Sequence, residues 1–439
     1  MNRKTLLLSG ALLALFTWVT ACSSVNPTPG PVGTEILNTP SATQENNAAN
    51  EPAPTATPDQ ALIRGTITLW HSWDETQVPA LVQTIADFQA LYPDVQFDVL
   101  YVPVEDLQAR FETATSEGGG PTILIGPAEW GPSLYDQGTL ANLADLASSD
   151  LLDSLNQAAL GSGEYDGALI SLPQTIRGVV LFRNQRIIAE PPASFNNLIT
   201  LARTATQGDF IGAVLERSFF YSGANLNGIG GTLMDTNGNP AFNNDKGLEW
   251  VDLLQAYNQV GPTEFLNDND LERFKTGKVG FVIDGTWNMS SLADAIGPDF
   301  LTIDPWPSYQ NGYMSGYVQS ENLFLSSKAE GNSKAAAWKF IEYFLSSPSQ
   351  AKLAESGHIP AITEEVDVKD PLMAQAMKAL AGGTTYPTLP QMSVYTTPLN
   401  SALKSIFDDG VTPQDALQSA ADTIQQALQE SSATPSPAP

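Results

Sequence analysis

Two short clusters in this chain bring together the residue types that hold a polar ring. Trp70-His-Ser-Trp73-Asp74 and Gly126-Pro-Ala-Glu129-Trp130 each set indole beside carboxylate. An indole offers a flat apolar face and a carboxylate accepts hydrogen bonds. A cleft built from both suits a hydroxylated ring with C–H faces and a polar edge. Asp74 and Glu129 are also the residue types of a glycosidase carboxylate pair, and residue type alone does not separate holding a glycan from cleaving it. His71, flanked by tryptophans, reads as a packed side chain rather than a base. Asp235-Thr-Asn-Gly-Asn239 imitates the start of a calcium loop, but Gly238 falls at the fourth position and no Glu stands at the twelfth, so a hairpin turn is expected. One cysteine and two histidines exclude a cysteine-cluster metal site and leave little for a histidine-rich one. Neither metal nor cofactor is expected.

The elements that must position these clusters alternate strand and helix. Thr66–Trp70, Val95–Tyr101 and Thr122–Ile125 read as strands, with helical spacing over Val78–Leu91 and Val104–Thr115 between them. This β-α-β-α-β order predicts an α/β fold whose sheets are mostly parallel with helices on both faces. Ligands of such sheets bind outside the carboxyl ends of the strands, where both clusters fall. A second α/β pattern follows, with strands at Phe210–Leu215 and Val279–Ile283, and helices at Leu248–Tyr257, Lys334–Leu345 and Leu399–Leu428, the last broken near Gly410 and Pro413. The chain's 439 residues exceed what one core supports, since cores stop growing near roughly 250–300 residues, and two lobes are expected.

The ends read differently. Arg3 and Lys4 precede an apolar run from Leu6 to Val19 and then Thr20-Ala21-Cys22, the form of a signal peptide over residues 1–21. The lone cysteine after a small residue resembles a bacterial lipobox, with Cys22 lipidated. Residues 22–64 are rich in Pro, Thr, Ala and Asn and read as an extended tether. Residues 431–439 read as a disordered tail. With 48 acidic against 20 basic residues, a net charge of −28, the chain is a poor nucleic-acid binder.

Several stretches, in order, resemble the extracellular solute-binding proteins of ATP-driven (ABC) importers, in the sugar-binding group related to maltose-binding protein. They are Ile67-Thr-Leu-Trp70-His-Ser-Trp73, Gly120-Pro-Thr-Ile-Leu-Ile125 with Glu129-Trp130 and Gln137-Gly-Thr-Leu140, Leu172–Asn184, Gly230-Gly231, Asp284-Gly-Thr-Trp287 and Leu389-Pro-Gln-Met-Ser393. The resemblance implies a periplasmic-binding-protein-like fold with its ligand cleft between two lobes. Lobe 1 is expected at 65–175 plus 318–366 and lobe 2 at 178–315 plus 370–430. Crossings are expected near Pro173–Arg177, Gly316–Gln319 and 365–370.

It also implies a non-catalytic lipoprotein on the outer face of the cell membrane that captures a carbohydrate by hinge closure and hands it to a permease. A monomer is expected. Trp70, Trp73, Asp74, Glu129 and Trp130 fall on the first-lobe binding turns, and Phe220, Tyr221 and Trp287 on the second-lobe aromatic platform. Tyr317 lies near a crossing and Tyr395 follows Pro-Gln-Met-Ser. There are two departures. Arg177 stands where maltose-binding protein has a ligand-contacting glutamate, and Thr396 stands at a late tryptophan. A guanidinium suits carboxylate or phosphate, so Arg177 either binds an acidic sugar or phosphorylated polyol, or pairs with Glu129. A secreted glycosidase is the remote alternative.

Overall fold

The structure, a computed structural model, describes residues 63–264, 269–363 and 366–433. The expected signal, Cys22 and nearly all of the expected tether lie outside the described residues, as does 434–439. The tail expectation needs one correction. The last helix spans Pro413–Ala433, so residues 431–433 are helical, and Ser431 Oγ donates back to the carbonyl of Ala427.

The strands that place the site are β1 (Gly65–His71), β2 (Val95–Tyr101), β3 (Ile123–Pro127), β4 (Leu172–Asn184), β5 (Ile211–Glu216), β6 (Thr263–Glu264), β7 (Val279–Gly285), β8 (Leu301–Asp304) and β9 (Tyr317–Leu325). Their hydrogen-bonded order is β2-β1-β3-β9-β4-β7-β5-β6, with β8 added on β4. β1 runs parallel to β2 and β3, and β5 runs parallel to β6 and β7. β9 is antiparallel to both β3 and β4, and β4 is antiparallel to β7. The sheets are therefore mixed rather than mostly parallel. Each parallel set adjoins one long strand that the two halves share. The first residues of β4 pair with β9 as far as Gly178, and from Val179 onward β4 pairs with β7.

The central strands are buried on both faces, while the edge strand β2 is partly exposed, and alternation along the strands sorts the side chains into two cores per half. In the first half Ile67, Leu69, Ile123, Ile125, Leu323 and Leu325 pack with Phe88 of helix α1 (Val78–Leu91) and Phe340 of the helix Gly331–Phe344. The intervening Leu124 and Phe324 face the other way, onto Leu107 and Phe111 of helix α2 (Val104–Ser116). In the second half Val179, Leu181, Ala213, Phe281 and Ile283 share one core, and Val180, Phe182, Val214 and Val282 another. Capping fixes where helices begin. Ser194 accepts from Asn197 N before the helix Phe195–Ala205, and Asp370 accepts from Leu372 N with Pro371 opening the next turn. The expected turn at Asp235–Asn239 is present, closed by Asp235 N to Asn239 O at 2.9 Å, with Gly238 at φ +78°.

One buried ion pair locks β4 to β8. Arg183 donates from Nε and Nη2 to the two oxygens of Asp304 at 2.7 and 2.9 Å, and from Nη1 to the carbonyls of Ile188 and Ala189. Both side chains are at most 6% exposed. Replacing Asp304→Ala leaves a buried guanidinium half-satisfied and is expected to cost about 3–5 kcal/mol. Urea unfolding measures this directly, and a loss under about 1 kcal/mol would show that the pair does not hold the strand.

Candidate functional site

The strands β1, β3 and β7 all deliver their following turns to one place. The turn after β1 supplies Ser72, Trp73 and Gln77, and Pro127 ends β3. Thr286, Trp287 and Met289 follow β7 on the opposite wall. Between them the shared strands form a floor of Thr175, Ile176 and Arg177 from β4 with Ser320 and Glu321 from β9, and Gly357–Ile359 closes one side. The cavity, open on one side, is about 350 Å³, within the range of small-molecule sites.

Its polar centre is Glu321. Trp73 Nε1 donates to Glu321 Oε2 at 2.6 Å and Gln174 Nε2 donates to the same oxygen at 2.8 Å. Burial pushes this carboxyl up to about 6, against the opposing pull of the Trp73 bond, the Arg177 charge and the Gln174 bond. Trp73 is only 2% exposed and is clamped from three sides. Its ring stacks on His358 at 4.7 Å and 29°, and its backbone N–H donates to His71 Nδ1 at 3.1 Å. Burial lowers both His71 and His358 to about 4, so each is neutral at pH 7.

An aromatic group continues from the Trp287 wall. Phe220 lies 6.0 Å from Trp287 and 5.8 Å from Tyr386, and Tyr386 meets Tyr317 edge-on at 5.2 Å. Tyr221 packs edge-on against Phe220 at 5.4 Å. The Tyr386 hydroxyl is hydrogen-bonded to Thr396 and feels the charge of Glu129. Glu129 Oε1 in turn accepts from Gln319 Nε2 at 3.0 Å. Two glycines let the indoles lie flat. A Cβ on Gly126 would stand 2.4 Å from the Trp130 ring, and one on Gly285 would stand 2.0 Å from Trp287.

The structure thus gathers Trp73, Arg177 and Trp287 around the cavity, with Phe220 and Tyr221 beside Trp287. Trp130 is half-buried near the end of β3, and Glu129 is turned toward β9. Other expected residues are placed elsewhere. Trp70 faces α2 beside Asp106, Arg110 and Thr113, because it alternates with Ile67 and Leu69 of β1, which face the core on the α1 side. Tyr395 is fully buried, its hydroxyl donating to the Gly238 carbonyl at 2.8 Å, so it is a core residue and the expected ligand contact is corrected. Tyr317 is 1% exposed and packs between Phe219 and Tyr386. Asp74 is exposed, and its Oδ1 is taken up by Thr76 and Gln77 at the start of α1. Of the two alternatives for Arg177, a pairing with Glu129 is not what the structure shows: Gln319 donates to Glu129, and Glu321 is the acid that feels the Arg177 charge.

Glu321, Gln319, His358 and Tyr386 escaped the sequence reading. For Glu321 a signal existed, a charged residue inside the otherwise buried strand Tyr317–Leu325. Among the described residues, no group of three or more His, Cys, Asp or Glu is placed to hold a metal ion.

A model of the bacterial extracellular solute-binding protein family matches residues 83–382, and the chain belongs to that family. It is 23% identical over 359 residues to the maltotriose-binding protein of Pyrococcus abyssi, covering 79% of this chain and 78% of that one. It is 25% identical over 386 residues to the galactooligosaccharide-binding protein of Bacillus subtilis, covering 81% and 88%. The fold is that of the extracellular solute-binding protein of Staphylococcus aureus, solved in complex with maltose. The TM-score is 0.74 at 20% identity, with 87% of this chain and 99% of that chain covered.

The two neutral imidazoles make the protein acid-sensitive. Each histidine takes its proton near pH 6.5 when unfolded but only near pH 4 when folded, so stability falls as pH drops from about 6.5 toward 4. Glu321 acts oppositely over about 4.5 to 6 and offsets part of the loss. At pH 5 each histidine accounts for about 2 kcal/mol lost relative to pH 7. Urea unfolding at the two pH values is expected to show a smaller loss in His358→Gln than in the wild type, and an unchanged difference would sink the assignment.

Proposed function

We propose that this chain is an exported lipoprotein, held at the outer face of the cell membrane through Cys22, that captures an oligosaccharide between its lobes and presents it to an ABC importer. The observation that carries the reading is the cavity itself. A half-exposed Trp287, continued by Phe220 and Tyr386, faces a wall of hydrogen-bonding groups from Gln77, Arg177 and Glu321. Flat aromatic faces take the C–H side of a sugar ring, and the polar groups take its hydroxyls. Family membership supports a binding role over catalysis, and the relatives named for maltotriose and galactooligosaccharide support a glycan of several units.

The shared strands β4 and β9 carry both the floor of the cavity and the passage between the halves, so a ligand gripping both walls favours the closed arrangement by its differential contacts. Closure then tells the permease that the protein is loaded. Residues 22–64, nearly all of them outside the described residues, serve as the tether that lets the body reach the permease.

Titration of the purified protein with a panel of malto- and galacto-oligosaccharides, followed by tryptophan fluorescence and calorimetry, tests the reading. Silence toward the whole panel would overturn it. Trp287 is 46% exposed, so Trp287→Ala is expected to leave the melting temperature nearly unchanged. It is expected to weaken sugar binding about 30-fold, the loss of a binding hot spot worth about 2 kcal/mol.

A further inference from the structure

Arg177 and Glu321 line the same cavity from neighbouring antiparallel strands. In that register Gln319 stands opposite Arg177 and Glu321 opposite Thr175, so Arg177 and Glu321 are diagonal neighbours on one face. Diagonal positions lie about 7–8 Å apart at the backbone, within reach of two long side chains. Arg177 is exposed to the cavity, whereas Glu321 is fixed from behind by Trp73 and Gln174. The carboxylate therefore cannot swing away to make room for a competing anion.

We propose that Glu321 is a specificity-determining residue. Its carboxylate neutralises Arg177 within the cavity, so the site takes an uncharged hydroxylated end group and turns away carboxylated or phosphorylated ones. The inference rests on the carbohydrate reading and adds the charge class of the ligand. A guanidinium alone in a low-dielectric cavity would clamp a carboxylate or phosphate with two parallel hydrogen bonds. With an acid beside it, an incoming anion meets as much repulsion as attraction, while a hydroxyl can donate to Glu321 and accept from Arg177. The other titratable groups near this pair are Glu129, held by Gln319 opposite Arg177, His358, stacked on Trp73, His71, which accepts from the Trp73 backbone, and Asp74, whose charge acts on His358. His358 is neutral above about pH 4, so it leaves the balance unchanged between pH 5 and 8. Glu321 itself is protonated below about pH 6, which exposes the Arg177 charge.

The test is calorimetric titration of the whole protein with D-glucuronate, whose carboxylate is ionised at both pH 5 and pH 8. Glu321→Gln is nearly isosteric, and its amide oxygen still accepts from Trp73 and Gln174. At pH 8 this variant is expected to bind glucuronate about tenfold or more tighter than the wild type. The wild type moved to pH 5 is expected to gain by a similar factor without any substitution, which covers the case of a misfolded variant. The variant's affinity is expected to stay flat between the two pH values, and adding Arg177→Gln is expected to abolish the gain. Equal glucuronate affinity in wild type and variant at pH 8, or no gain for the wild type at pH 5, overturns the proposal. Maltotriose is titrated in parallel. Binding of maltotriose without any glucuronate gain overturns charge gating alone. A glucuronate gain in a protein deaf to the whole oligosaccharide panel overturns the carbohydrate reading and leaves the Arg177–Glu321 balance standing.

Discussion

β4 and β9 lie side by side in opposite directions, and the other main strands take their places outward from that pair. β3, β1 and β2 follow on one side, and β7, β5 and β6 on the other. A strand shared by two sheets must satisfy its backbone groups on both edges along its whole length. β4 does so by pairing with β9 and with Ile359–Pro360 in its first part, then with β7 and β8 from Val179 onward. The passage between the halves is thus made of paired backbone rather than a loose linker. The Arg183–Asp304 pair holds its far end against β8. Just before the exchange of partners Thr175 and Arg177 share one face and line the cavity, while Ile176 between them also joins the second half's core, and the floor of the cavity follows from that.

The cavity is an exercise in compensated burial. Placing a carboxylate among Trp73, Gln174 and Ile176 is costly unless its oxygens are bonded and its charge is opposed. Glu321 receives two donors on one oxygen and faces Arg177. Its raised proton affinity records that the compensation is incomplete. The same burial holds His358 and His71 neutral, so one stacks on Trp73 and the other accepts its backbone N–H. Trp73 is consequently a strut as well as part of the cavity lining. Trp287, on the opposite wall, is free on one face and rests its other against Gly285.

Much of this was legible in the residues. Periodicity placed β1 to β3 and their helices, because alternating apolar positions in a strand and three-to-four spacing in a helix are local properties. The rule that ligands gather beyond the carboxyl ends of parallel strands placed Trp73 and Glu129 near the site. What failed did so for identifiable reasons. Trp70 still belongs to β1, two residues before the turn that enters the cavity, and its strand position turns it toward α2. Tyr395 follows a matching motif, yet its hydroxyl is consumed by the Gly238 carbonyl inside the second core.

By itself the sequence determined the elements, the two-part α/β organisation and the family, since each depends on composition, spacing or motif order along the chain. The tertiary structure alone decided which charges meet. Arg177 and Glu321 are separated by most of the second half of the chain, and only the register of β9 on β4 sets them diagonally on one face. It alone decided that Tyr386 joins Phe220 and Trp287, and that Gln319, not Arg177, holds Glu129. Pairings of this kind depend on strand register and burial, and no local pattern of residues encodes them.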